Sequence, residues 1–549
     1  MSVITSLIFV TITESDDTGP LHQNLTIESL PDDVLIVIFT SYLNRSDEID
    51  VWRTLVHVCR KWRYLVFASP GHLNLRLECT IETHAREMLD IWPAFPIVIM
   101  DYSDYMPGVD DIVAALEQSD RVCEITLDDI PGRRMDMFVP AMLEPFPALE
   151  SLILGADAVD SPMAVVPDSF LGGSAPQLHW LTFHAIPFPA LPTLLSTTRN
   201  LVDLQLSAIP RSGYISPEEM ITCLSAMPRL RFLRFQFDSP LSFPNRESRR
   251  HPPLTPSILP ALHHLIFEGV NDYFEDLVAR VDTPLMDNLE ISFFHRHVYD
   301  FSRFSQFIGR IEAFKSPARA NIDISRHGAA VVFVSQRTGS DDSARLSLGI
   351  SCNELHLQLR YFVQLCSSSL LPFSNMESLA ISSGPQLQHP QWAPTAENFL
   401  WLDLLRSFCA VKDLGIDEKS LAPVAYTLEE VAKEGITEVF PAIRELSVRG
   451  HLPSGPILRS SPLREGCLLG LIVLTVGWRI NKWEANGKGA FFPHLIFGLI
   501  YLMNSFFFHT RFQTRRSVTV QFLHVLSPIT PLPAPVLSVF VNRKCLDAT

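Results

Sequence analysis

Along most of the chain, apolar residues recur in a figure Φ-x-x-Φ-x-Φ, with Φ apolar and x mostly polar. Its copies are Val122/Ile125/Leu127, Leu149/Leu152/Leu154, Leu178/Leu181/Phe183, Leu201/Leu204/Leu206, Leu230/Leu233/Phe235, Leu262/Leu265/Phe267 and Met286/Leu289/Ile291. Less regular copies follow at Cys352/Leu355/Leu357, Met376/Leu379/Ile381, Val411/Leu414/Ile416 and Ile443/Leu446/Val448. The last two apolar positions of each copy alternate with another residue, the period of a short strand, and the first sits in the turn that feeds it. Many of these turns carry proline, as in Phe146-Pro147, Ala175-Pro176, Met227-Pro228, Leu259-Pro260 and Phe440-Pro441. Between strands lie amphipathic stretches that predict helices. In Ser216–Ala226, Ser216 can cap, Pro217 suits the first helical position, and Glu218 and Glu219 fall in the first turn.

The first seven copies start 23 to 32 residues apart. One strand and one helix per interval of this size is a leucine-rich-repeat unit of the longer, irregular kind. A single unit cannot bury its apolar edge, so the units must stack into a curved α/β solenoid. Strand ends and the loops after them would then form the recognition surface. The competing expectation is a globular α/β domain with coincidental strands. Residues 292–351 hold only a degenerate copy around Ile322/Ile324, which predicts a break in the array there.

The N-terminal segment 29–69 has a different period. Pro31 suits the first position of a helix, Asp32 and Asp33 favour the positive end of its dipole, and Leu35, Ile38, Phe39 and Tyr42/Leu43 form one apolar stripe. A polar break at Asn44–Asp50 ends it. A second helical stretch carries Trp52, Leu55, Val56, Cys59, Trp62, Leu65 and Val66 and stops at Ser69-Pro70. A module of about 40 residues buries little surface alone, so it either packs on the rest of the chain or docks on a partner.

Two separated blocks of this segment, Leu30-Pro31-x-x-Val34-Leu35-x-x-Ile38-Phe39-x-x-x-Leu43 and Val58-Cys59-Arg60-Lys61-Trp62-Arg63, make it resemble an F-box. The connector Asn44–Asp50 is longer and more charged than is usual in that family, and Ser69-Pro70-Gly71-His72-Leu73 replaces its Ser-Pro-x-Leu-Trp. The resemblance implies a three-helix module that docks on the Skp-type adaptor of a cullin ubiquitin ligase, the SCF complex. Its adaptor-facing residues would be Leu30, Pro31, Leu35, Ile38, Phe39, Leu43, Leu55, Val58, Cys59 and Trp62. With repeats behind it, the chain resembles F-box/leucine-rich-repeat proteins, in particular the expanded basidiomycete fungal members. The family resemblance implies that the repeats hold a protein to be ubiquitinated, of unknown identity. The other expectation is a non-catalytic repeat scaffold that acts without ubiquitination.

Charge divides the chain further. Residues 465–549 hold eight basic residues against three acidic ones, a balance of +5 that leaves −21 of the overall −16 on residues 1–464. Such an acidic body lacks the basic surface that nucleic acid demands, so no nucleic-acid partner is expected. Nine scattered cysteines with no C-x-x-C pair fit reduced thiols in a cytoplasmic or nuclear protein. The apolar start MSVITSLIFVTI has no basic residues before it and makes a weak signal peptide.

Catalytic patterns are sparse. Arg326-His327-Gly328 follows a strand-like segment, but no second His and Arg set accompanies it to hold a phosphate. His295-x-His297 and His263-His264 lack the further ligands that tetrahedral zinc needs. Neither phosphate-binding glycine loops nor a nucleophile elbow occurs. No enzymatic activity, metal or cofactor is therefore expected.

The tail contains two apolar runs. Residues 466–478 are too short to span a bilayer, whereas 490–508 reach the length but include Pro493, His494 and Asn504. A membrane anchor is thus a candidate but not favoured; a separate folded part or an aberrant tail are the alternatives. The expected organisation is an N-terminal extension (1–25), the F-box-like module (26–72), a linker or cap (73–118), the repeat array (119–450) and the basic apolar tail (451–549).

Overall fold

The computed structural model describes Ile27, residues 30–449 apart from 46–48, 81–83, 103–107, 158–163, 244–255, 295–300, 316, 326–327, 337–342, 353–354, 368–375, 384–396, 418–419, 421–423, 425–426, 428–439 and 441, and residues 518–521. Three short helices come first, α1 (Asp32–Leu43), α2 (Trp52–Val56) and α3 (Arg60–Ala68). The sequence pattern predicts one helix after the polar break; the structure has two. Cys59 is extended (φ −155°, ψ 172°), and its Sγ accepts the Trp62 N–H, so it ends one helical run and caps the next.

Strands then alternate with helices. The strands are β1 (Leu77–Cys79), β2 (Ile97–Asp101), β3 (Val122–Pro131), β4 (Ser151–Asp157), β5 (Trp180–His184), β6 (Asp203–Ile209), β7 (Phe232–Phe237), β8 (Ser257–Ile258), β9 (His264–Gly269), β10 (Val281–Asp282), β11 (Asn288–Phe294), β12 (Arg319–Ile324), β13 (Gly328–Gln336), β14 (Ser343–Ser351), β15 (Ser378–Ser383), β16 (Asp413–Asp417), β17 (Glu445–Arg449) and β18 (Val518–Gln521). All but β8 and β10 join one 16-stranded sheet. The helices between them are α4 (Ala85–Ile91), α5 (Val109–Leu116), α6 (Gly132–Phe138), α7 (Leu191–Leu195), α8 (Pro217–Ser225), α9 (Asn271–Val278), α10 (Ser302–Arg310), α11 (Leu355–Ser367) and α12 (Glu397–Arg406). This is a mixed α/β chain with a large, mainly parallel sheet, consistent with a leucine-rich-repeat-like solenoid.

The repeated figure explains the sheet. Ile125, Leu152, Leu181, Leu204, Leu233, Leu265 and Leu289 are successive register partners, and so are Leu127, Leu154, Phe183, Leu206, Phe235, Phe267 and Ile291. Every one of them is buried. The first apolar position closes a tight turn: Leu149 N–H donates to Phe146 O, Leu178 to Ala175 O, Leu230 to Met227 O and Leu262 to Leu259 O. Proline at the second residue of each turn has the fixed φ that this position requires. Helix α8 has a full capping box, with Ser216 and Glu219 satisfying each other's backbone N–H groups and Pro217 in the first turn.

The structure differs from three expectations. Leu355 and Leu357 were expected in a strand, yet Leu355–Ser367 is helix α11. The strand at that place is β14, where Leu346 and Leu348 continue the two buried rows against Leu289 and Ile291. Its alternation is as regular as in the other strands, but no apolar residue stands three positions before Leu346, so the full figure misses it. The expected break at 292–351 is instead a backward meander: the sheet order runs β11-β14-β13-β12-β15, with β13 antiparallel to both neighbours. The rows pass through it by way of Phe333/Val331 and Ala320/Ile322 to Leu379/Ile381. Residues 73–118, expected as linker or cap, supply β1 and β2, the first strands of the same sheet.

Asp101 stands in the apolar row as the register partner of Leu127. Its carboxylate meets the Arg134 guanidinium at 2.5 Å, with both side chains almost wholly buried, and Arg134 also lies over the Phe138 ring. Removing one member strands a buried charge. Arg134→Ala is expected to lower the stability by about 3–5 kcal/mol, while Asp101→Leu with Arg134→Met costs far less. Urea unfolding of both variants checks this; equal losses would refute the buried pair.

Candidate docking surfaces

The first surface is the N-terminal module. Of the ten residues that the F-box resemblance singles out, Leu35, Phe39, Leu55 and Trp62 are interior. They form the module's own core, with the Phe39 and Trp62 rings 4.7 Å apart. Leu30, Ile38, Leu43 and Cys59 are half-buried, and Pro31 and Val58 are exposed. The interior four hold the shape of the module, and the others are the ones left within reach of solvent. Val34 and Val37, which were not singled out, are exposed too, Val37 at 65%. The Lys61 ammonium pins the start of α1 by donating to Leu30 O (2.9 Å) and pairing with Asp32 (3.2 Å).

The module is fastened to the sheet through Trp52. This side chain is buried, its Nε1–H donates to Arg76 O at 2.9 Å, and its ring meets Trp92, Phe95 and Phe67 edge-on. Arg53 lies 5.9 Å from the Trp52 and Trp92 ring centres and pairs with Asp50 at 2.8 Å. Burial pushes the Asp50 carboxyl up, and Arg53 offsets part of that rise.

The second surface is the outer face of the sheet, formed by the residues between the buried rows. One outer row runs Glu124, Ser151, Trp180, Asp203, Phe232, His264 and Asn288 as successive register partners. Trp180 is 49% exposed. Phe232 is half-buried, with the Arg234 guanidinium 5.9 Å from its ring centre and the His264 ring 4.6 Å away. His264 is held below its ordinary value, first by burial; the Glu290 carboxylate opposes that. Glu268 and Asp203 are both held above the ordinary carboxylate range by burial. For Asp203 the hydrogen bond from Gln205 (3.0 Å) and the charge of Arg234 offset part of the rise. Sequence reasoning placed recognition on strand ends and loops and missed Trp180, Phe232 and Arg234. The period-2 pattern held the signal, because the residues flanking an inward leucine must face outward.

Other candidates fared differently. His263 reaches Asp287 at 3.4 Å, and among the described residues no cluster of His, Cys, Asp and Glu is arranged to hold a metal. Arg326, His327, His295 and His297 lie outside the described residues, as do both apolar runs of the tail. No helix among the described residues is long and apolar enough to cross a membrane.

No family model matches the chain, and no curated protein matches it. Among solved structures, the leucine-rich repeat-containing protein LegL7 from Legionella pneumophila is similar at 11% identity over 72% of this chain and 97% of that one, with a TM-score of 0.26. Superposition that loose adds nothing to what the strand registers show.

The raised Asp203 carboxyl has a pH signature. The folded form keeps its proton to higher pH than the unfolded one, so this group favours folding in acid and loses that contribution as pH rises through the folded value. Asp203→Asn is expected to be more stable than the parent at neutral pH, with the advantage vanishing toward the ordinary aspartate range. Urea midpoints across that window test it; an advantage that grows in acid would be the contrary result.

Proposed function

We propose that this chain is the substrate-recognition subunit of an SCF-type cullin ubiquitin ligase, docking on a Skp-type adaptor through residues 30–69 and holding a target protein on its repeat array. The observation that carries this reading is the pairing of the LP…IF and VC-x-W blocks, whose segments fold as three short helices with apolar side chains left exposed. The repeat fold behind them supports a protein-binding role, since solenoids of this kind present extended surfaces to partners. On this reading the chain is not an enzyme. It contributes proximity, bringing target and ubiquitin-loaded subunits together, and needs neither metal nor cofactor.

The burial pattern selects the informative variants. Leu35 and Trp62 are interior, so changing them damages the module's fold as well as any contact. Val37 and Val58 are exposed. Val37→Asp combined with Val58→Asp is expected to cut co-purification of the Skp-type adaptor by about tenfold or more, because a charge must be desolvated at the interface. The thermal midpoint should stay within about 2 °C of the parent, as surface changes away from special features do little. Undiminished adaptor binding by this variant sinks the proposal.

A further inference from the structure

The outer face of the sheet is unevenly charged. Between Val122 and Ile209 the lysines and arginines are Arg133, Arg134 and Arg199, none of them on a strand, whereas β3 to β6 carry Glu124, Asp128, Asp129, Asp157 and Asp203. Glu124 is answered by Arg76 at 3.2 Å. Asp128 and Asp129 are pushed outward by the register shift after Leu127, with Asp129 in the left-handed region (φ 58°) and the Asp128 carboxylate lying over Gly155. Glu150 stands exposed just before β4.

Within this acidic half sits Trp180, between Ser151 and Asp203 in register. Two strands further on, the protein shows what such a ring attracts: Arg234 lies over Phe232. No cation covers Trp180 among the described residues, although indole is the best of the aromatic rings for this contact. The neighbouring Asp203 carboxyl is partly desolvated and already turned outward in the same row. An exposed indole beside the Asp203 carboxyl, on strands that carry acidic residues but no lysine or arginine, is complementary to one kind of guest.

We propose that the outer face of β3 to β6 docks a basic, extended peptide segment, with a lysine or arginine side chain lying over Trp180 beside Asp203. This rests on the reading that the repeat array holds a protein partner, and it assigns the chemistry of the segment that is held. Aliphatic contact comes from Ile153, and Thr182 and Gln205 supply hydrogen-bonding groups at the adjacent outward positions.

The test uses the full chain and two fluorescein-labelled probes, an alternating lysine–serine peptide and its glutamate–serine counterpart, followed by anisotropy. The lysine probe should bind more tightly, with affinity falling as salt is raised. Trp180→Ala and Asp203→Asn should each weaken it by about fivefold, a cation–π or exposed charge contact's worth. Asp203→Asn is expected to fold at least as stably as the parent, so it keeps the test informative should Trp180→Ala destabilise the chain. Equal binding of the two probes, preference for glutamate, or parent-like binding by Asp203→Asn overturns the assignment. Such a failure leaves two things standing: adaptor docking, which co-purification tests on residues 30–69, and the holding of a protein by the array, which proteins co-purifying with residues 119–450 in the Val37→Asp/Val58→Asp chain would test.

Discussion

The structure depends on one constraint: no single strand of this chain can bury its apolar edge, so all of them must share a register. Each inward leucine covers and is covered by its counterparts on the two neighbouring strands, and removal from water stabilises each by about 2 kcal/mol. A slip of one residue would turn a whole strand's apolar set to solvent. That is why the two rows run unbroken through strands as different as β3 and β15, and why the meander at β12 to β14 keeps the same rows even where strand direction reverses. The rows, rather than the direction of the chain, are what the sheet conserves along its length.

Several of the charged groups that enter this interior are answered by a partner. Asp101 meets Arg134; the Glu275 carboxylate accepts the backbone N–H groups of Arg303 and Phe304 at the start of α10; Asp276 pairs with Arg303 at 2.7 Å, and Glu218 with Arg280 at 3.0 Å. The first joins β2 to α6, and the others lie around α8, α9 and α10, where units of unequal length must be keyed together. Trp52 serves the same end at the N-terminal edge, joining helix α2 to Arg76 and the rings ahead of β2. The N-terminal module is therefore packed against the start of the sheet.

The buried rows were legible because strands and turns each leave a strict trace: alternation inward, and proline at the second turn residue. β14 escaped because its turn lacks the leading apolar residue, and the break after Cys59 escaped because an extended cysteine inside an apolar stripe looks like helix. The F-box-like site was legible as a motif but not as a surface. A motif mixes residues that hold a shape with residues that touch a partner; Leu35 and Val37 are two positions apart, and only burial separates their roles. The outer face was hardest to read, since Trp180, Asp203 and Phe232 form one row only through parallel register between strands more than 20 residues apart in the chain.

This division of labour has a consequence for how such a chain can change. Inward positions are tied to one another by packing, and a leucine truncated to alanine there costs about 2–5 kcal/mol, a large part of a domain's margin. Outward positions touch mostly water, and most substitutions there stay within about 0.5 kcal/mol. The sheet can therefore exchange Trp180, Asp203 or Arg234 for other residues without disturbing the rows beneath them. The N-terminal module has less freedom: Leu35, Phe39, Trp52, Leu55, Val56, Trp62, Leu65 and Val66 are all interior within a segment of about 40 residues. The buried rows and the interior of the N-terminal module are thus tied down by packing, while the outward positions of the sheet can vary in charge and shape on an unchanged frame.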